Sequence, residues 1–214
     1  MSTTPSPPVI TPKGTRADAR FGRWLALLVA AALVLRVAYV LVVERGDPLS
    51  GDGAYYHEAA NLLADGLGFT EPYRYLHGGG QELLFVDDPS AVLPTANTAL
   101  PVGHVEPTAG HPPLWVVVLG LFSALGLTGA TAHQLVGAFV GAAGVAAVGW
   151  AGRSLDGPRT GLLAAGLATF HACLWLNDGL VMSESLVVGC VALLVIVGFR
   201  FHRSPDIRSV LLLG

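Results

Sequence analysis

Charge is what this sequence has least of. Asp, Glu, Lys and Arg make up 13% of its 214 residues, where a soluble domain carries about 25%. The deficit excludes an ordinary water-soluble surface along most of the chain. With a mean hydropathy of +0.59, it points to an integral membrane protein. Cysteine is nearly missing. Cys173 and Cys190 both lie in apolar runs with no second Cys or His at ligand spacing, which excludes a disulfide framework and leaves them as small core residues. A strong charge of either sign is missing too, and the net charge of −3 leaves no case for a nucleic-acid partner. There is no Cys/His metal motif, phosphate-binding Gly-rich loop, dinucleotide fingerprint or Gly-x-Ser-x-Gly elbow. Internal repeats and a strand pattern strong enough for a sheet are also lacking.

Long apolar runs are what the chain does have. Residues 1–22 are rich in Pro, Ser and Thr and turn basic toward the end, which reads as a disordered cytoplasmic tail. Trp24 to Val43 follows. It is too long for a signal-peptide core and ends in no small-x-small cleavage site, so it reads as a retained first helix. Further spans are expected at residues 132–151, 161–176 and 180–199. Pro112 to Leu127 is also apolar. Were it a span, the linkers carrying Arg153, Arg159, Arg200, Arg203 and Arg208 would fall outside, against the preference of basic residues for the cytoplasm. Laid along the outer interface, it returns those linkers to the side of the basic tail. The expected fold is an all-α integral membrane bundle of about four spans, with residues 23–214 forming one transmembrane module. A long extracytoplasmic first loop, residues 44–129, carries juxtamembrane helices, one of them over Ala54 to Leu67. The expected location is the cell membrane, multi-pass, with the N-terminus cytoplasmic. His77-Gly78-Gly79-Gly80 marks a turn within the loop.

The acids are unevenly spread. Of 15, ten fall between Glu44 and Glu106, in that outer loop. Asp52 lies just beyond the first span, and Tyr56 shares its helical face. Asp52 reads either as a general base toward an acceptor hydroxyl or as a helix N-cap, and Tyr55, Tyr56 and His57 also fit as interfacial aromatics. His111, before Pro112-Pro113, reads either as a donor to a lipid phosphate at a helix start or as a solvated turn residue. Asp178 and Glu184 flank a polar break facing the same outer side and read either as acids at membrane depth that are functional or paired or as acids favourably placed near a helix N-terminus. Arg36, inside the first span, would pair with one of these acids or with a substrate phosphate, or else snorkel outward. His133 opens the second span and His171 lies in the third; both also fit as helix-bridging polar groups. Asp87 and Asp88 read as a solvated pair.

Several short motifs stand in a telling order. They are Gly51-Asp52 with Tyr55-Tyr56, then Ala59-Ala60 to Phe69, His111-Pro112-Pro113-Leu114, His133 to Gly137, Gly161 to Ala165, and Met182-Ser183-Glu184-Ser185-Leu186. Together they resemble the N-terminal part of the GT-C polytopic glycosyltransferases, in the family 39-like group with the protein O-mannosyltransferases and the aminoarabinose transferases. The resemblance implies an inverting transfer of a sugar, mannose being one such, from a polyprenyl-phosphate donor at the extracytoplasmic face. It also implies catalysis by Asp52, donor binding near His111 and a role for Glu184, with Arg36, Tyr56 and His133 as further substrate-binding candidates. The chain departs from the family's pattern where Gly53 follows Asp52 and where His133 replaces an Arg. It also ends early in the family's length, so an incomplete member is expected. The cofactor stays open, a divalent metal included. The expected partners are membrane lipid, the donor, and a further chain completing the bundle. The competing reading is a truncated or non-catalytic multi-pass protein or subunit.

Overall fold

The computed structural model describes residues 16–77, 102–203 and 205. Within these residues seven α-helices follow one another: α1 (Arg16–Tyr39), α2 (Gly51–Ala64), α3 (Pro72–His77), α4 (Pro113–Ser123), α5 (Ala130–Phe170), α6 (Ala172–Gly179) and α7 (Glu184–Arg203). Among the described residues there is no strand, only a single antiparallel bridge between Thr70 and Pro107. Among the described residues three segments are long and apolar enough to cross a membrane, Ala17–Glu44, Ala130–Phe170 and Glu184–Arg203. The expected turn at Gly78-Gly79-Gly80 and the Asp87-Asp88 pair lie outside the described residues.

α1 begins at Arg16, well before Trp24, so the last residues assigned to a disordered tail are helical. The local sequence favours this: Ala and Arg are good helix formers and Asp18 complements the helix dipole in the first turn. Asp18 also pairs with Arg153, whose guanidinium lies 4.5 Å from the Phe21 ring centre and 5.0 Å from that of Trp150. At its far end α1 widens into a π turn, Val40–Glu44.

α5 is the central element. Within its apolar window 56% of residues are buried, against 17% for α1 and 11% for α7. α1 and α7 pack on it and turn Leu27, Val34, Val187 and Leu194 outward, as helices facing lipid do. α5 is also not one rod. Asp156 and Gly157 leave helical geometry, Gly157 at φ +86°, and Pro158 restarts the helix. The chain reverses there, and limbs 130–155 and 158–170 lie side by side. The approach depends on glycine: a Cβ on Gly161 would stand 2.5 Å from the Gly149 carbonyl oxygen. His171, with extended ψ, separates the second limb from α6. The span expected over 161–176 is therefore two helical pieces, and exposed His171 is the break between them. The helix expected from Leu180 starts at Glu184, after a turn.

α7 runs parallel to the first limb, with Ser185 and Val188 beside Gly144 and Val195 across a groove from Leu155. Arg20, Arg23, Arg153, Arg159, Arg200 and Arg203 consequently gather at one end of the bundle. Phe21, Leu25, Ala32, Val145, Ala165 and Ala168 form the core near that end. A second core at the other end joins α2, α3 and α4 around Tyr55, Tyr56, Tyr73, Trp115 and Leu119. α4 has 11 residues, about 16 Å of helix, too short for a bilayer core of about 30 Å. It packs along α2 instead, Gly120 meeting Ala60 and Leu63.

Candidate functional site

α2 opens after Ser50, which occupies the cap position, so Asp52 lies within the first turn rather than capping it. There the helix dipole favours its charge and leaves the carboxylate free for another partner. That partner is His111, whose Nε2 stands 3.2 Å from Asp52 Oδ1. The side chains are unequally exposed, 55% for Asp52 and 14% for His111, so the carboxylate is the solvent-facing member.

Two adjacent tyrosines hold the His111 ring. Tyr55 stacks on it at 3.9 Å between ring centres, with 22° between planes. Tyr56 meets it edge-on at 5.3 Å. The phenol groups are themselves anchored. Tyr55 donates to Thr108 Oγ1 at 3.4 Å, Tyr56 to Ser183 Oγ at 3.2 Å and Tyr73 to the Gly51 carbonyl at 2.9 Å. Burial raises the pKa of all three phenols above the usual tyrosine value, so they stay protonated donors at neutral pH.

Glu71, a residue with no distinguishing pattern in the sequence, lies under the same cluster. Burial raises its carboxyl pKa above the ordinary value of about 4.5, against lowering by the Tyr73 amide, the Thr108 hydroxyl, His111 and Arg74. A folded-state pKa raised in this way means the native chain holds a proton that the unfolded chain has released. Stability therefore falls as pH rises from about 4.5 through the shifted value. The Glu71→Gln variant is expected to lose that slope, seen as a melting temperature that no longer declines across the window. An unchanged slope would show that Glu71 is not its source.

The floor of this site is the turn between α6 and α7. Trp115 Nε1 donates to the Val181 carbonyl at 2.9 Å. Val181 is fully buried and holds φ +60°, a conformation a β-branched residue adopts only when its surroundings impose it. Gly53 sits directly against the Leu180 carbonyl, where a side chain has no room. Contacts from α2 and α4 thus clamp one strained turn, which brings Ser183 and the exposed Glu184 to Tyr56.

Below the turn is a buried ion pair. Arg36 Nε lies 2.6 Å from Asp178 Oδ2, with both side chains essentially inaccessible. Ser185 donates to the other carboxylate oxygen. Gly141 makes room for the carboxylate and Gly137 for the Asp178 backbone, leaving a cavity of about 10 Å³. Of the roles open to Arg36 in the sequence, the structure shows pairing with an acid.

His133 belongs to a third group. Asn61 Nδ2 donates to the Thr128 carbonyl at 3.2 Å, so its Oδ1 accepts from Ser123 Oγ at 2.8 Å. The Ser123 proton is thereby used, so His133 Nε2, 2.9 Å away, must be the donor to Ser123. His133 Nδ1 is left as acceptor for His57 Nδ1 at 3.0 Å. Burial lowers the His57 pKa, which suits a neutral donor. This directed chain ties α2 to α4 and α5.

Asp52, Tyr56 and His111 are thus brought together, Glu184 follows Ser183 at their edge and also lines the small cavity beside Arg36 and Asp178, and His133 serves a separate interior. Chemically, the first group offers an exposed carboxylate, an imidazole fixed at its side, and protonated phenols around them. Among the described residues no group of three or more His, Cys, Asp or Glu side chains is arranged to hold a metal ion. No protein-family model, curated protein or solved structure matches the chain.

Proposed function

We propose that the chain is the membrane part of a glycosyltransferase that moves a sugar from a polyprenyl-phosphate donor to an acceptor hydroxyl outside the cell membrane. The observation that carries this reading is the Asp52–His111 contact, made across 59 residues of chain at the bundle end away from the arginines. In this reading α1, the two limbs of α5 with α6, and α7 make four passages of the membrane. The arginine end is cytoplasmic, in keeping with the placement of basic residues in membrane proteins, and the N-terminus is on that side. α2, α3 and α4 then lie at the outer surface, where both a lipid-linked donor and a soluble acceptor can reach them.

Asp52 takes the proton of the acceptor hydroxyl as its oxygen bonds to the anomeric carbon. The bond from that carbon to the phosphate oxygen breaks on the opposite face, the configuration inverts, and polyprenyl phosphate leaves with the bonding electrons. His111 donates through Nε2 to Asp52 and, its Nδ1 being buried, acts on the attacking side, holding the carboxylate toward the acceptor hydroxyl. Tyr56 orients the ring of His111, and Glu184 contributes acceptor oxygens at the rim. Arg36, committed to Asp178, takes no part in donor binding. The Asp52→Asn variant is expected to lose at least a thousandfold in transfer of labelled sugar from polyprenyl-phosphate hexoses or pentoses, measured in native membranes, with folding retained. Transfer at an undiminished rate would remove Asp52 from the mechanism.

A further inference from the structure

The end of the bundle opposite Asp52 holds a cleft of about 590 Å³, within the range of small-molecule sites. Its lining comes from the first turns of α1 and from the reversal in α5: Arg20, Phe21 and Trp24 face Asp156, Arg159 and Leu162 across it. The two arginines are notable for what they do not do. Arg153, close by, is spoken for by Asp18 and two aromatic rings. Among the described residues Arg20 and Arg159 have no ion pair, although the Asp156 carboxylate lines the same cleft. The Asp156 carboxylate is held by the Thr160 hydroxyl at 3.1 Å.

With the Arg20 and Arg159 guanidinium groups on facing walls, beside Phe21 and Trp24 on one and Leu162 on the other, the cleft is amphipathic. It is cut into helices that leave from there along lipid-facing surfaces. Guanidinium groups match phosphate oxygens in shape and charge. Tryptophan favours the boundary between headgroups and acyl chains.

We propose that this cleft binds the headgroup of one phospholipid, its phosphodiester held between Arg20 and Arg159 and an acyl chain running past Trp24 and Leu162. Asp156 adds selectivity. A carboxylate beside the phosphate repels a second negative charge but accepts a hydrogen bond, so the headgroup carries a donor beyond its phosphate, an ammonium or a hydroxyl. Phosphatidylethanolamine and phosphatidylglycerol meet that requirement; phosphatidylcholine does not. The site is independent of the transferase reading, because no residue of it lies near Asp52.

The test uses the full chain, delipidated in a neutral detergent. Binding is read by thermal shift and by native mass spectrometry against short-chain phosphatidylethanolamine, phosphatidylglycerol and phosphatidylcholine, with glycerol phosphate and inorganic phosphate as tail-free probes. One bound lipid per chain is expected, with the ethanolamine and glycerol lipids at least tenfold tighter than choline. Arg20→Gln and Arg159→Gln should each weaken binding at least tenfold, and Asp156→Asn should narrow the gap to choline. Both arginines are exposed, so the variants are expected to fold, which their unliganded melting temperatures check. Equal binding of all three lipids would overturn the selectivity. Equal binding of glycerol phosphate or inorganic phosphate would make the ligand a soluble phosphate and overturn the lipid assignment. Arginine variants that bind like the parent would overturn the site.

Discussion

The Asp178→Ala variant is expected to lose about 3–5 kcal/mol of stability, the cost of leaving a buried charge without its partner. Arg36 is 1% exposed, and its Nη1 otherwise donates only to the Ala32 carbonyl of its own helix, at 3.3 Å. Without Asp178 the guanidinium stays in an interior lined by Gly141, Val145, Leu174 and Val188 together with Asn177, Glu184 and Ser185. Glu184 is exposed, so it would have to leave water to replace the lost partner. The pair is not the most stable choice for that volume, however. Replacing both residues together, Arg36→Met with Asp178→Leu, is expected to be far milder than either single change, since no charge is then stranded. Unfolding of the four proteins in mixed micelles at rising denaturant gives the cycle. Singles as mild as the double would mean that water reaches Arg36 freely.

Trp115→Ala ranks beside it. Trp115 is fully buried at the meeting point of α2, α4 and the turn after α6. Truncating a buried Trp costs about 3–5 kcal/mol through lost burial and the remaining cavity. The Val181 carbonyl also loses its donor, at roughly 1–3 kcal/mol for a buried group left unpaired. Trp115→Phe separates the two effects, because it keeps most of the apolar volume and removes only the N–H. A loss of about 1–3 kcal/mol is expected for it, together with faster proteolysis at the 180–183 turn, whose φ +60° at Val181 is then less firmly imposed. A Phe variant as stable as the parent would show that the indole hydrogen bond contributes nothing.

How far the sequence alone carried can be judged at particular residues. All-helical membrane character was legible because composition and apolar run length are properties of single segments. The shortness of α4 was legible too, since charge on distant linkers decided it. The grouping of Asp52, Tyr56 and His111 was reached only as candidates. Proximity across 59 residues depends on how α2 and α4 cross at Gly120, which no local pattern encodes. The Arg36–Asp178 pair was one of several partners left open for the same reason. Glu71, Thr108 and Trp115 carried no signal, being unremarkable residue types until folding buried them. The start of α1 at Arg16 is masked in the sequence by the Pro, Ser and Thr upstream, although Arg16 to Arg20 has good helix formers. The break at His171 is masked because an apolar run continues through it.

The separation of Arg36 from Asp178 along the chain has a consequence for synthesis. Translation at ~5–20 residues per second puts on the order of ten seconds between them. During that interval α1 carries a guanidinium in its last turn without the carboxylate that later meets it, a costly group to leave in an apolar surrounding. Its entry into the bilayer is therefore provisional until α6 emerges and delivers Asp178. A nascent chain halted after α5 should leave α1 loosely inserted and open to membrane quality control, whereas one halted after α7 should not. The ion pair thus orders assembly in time: the first helix is made early but secured late.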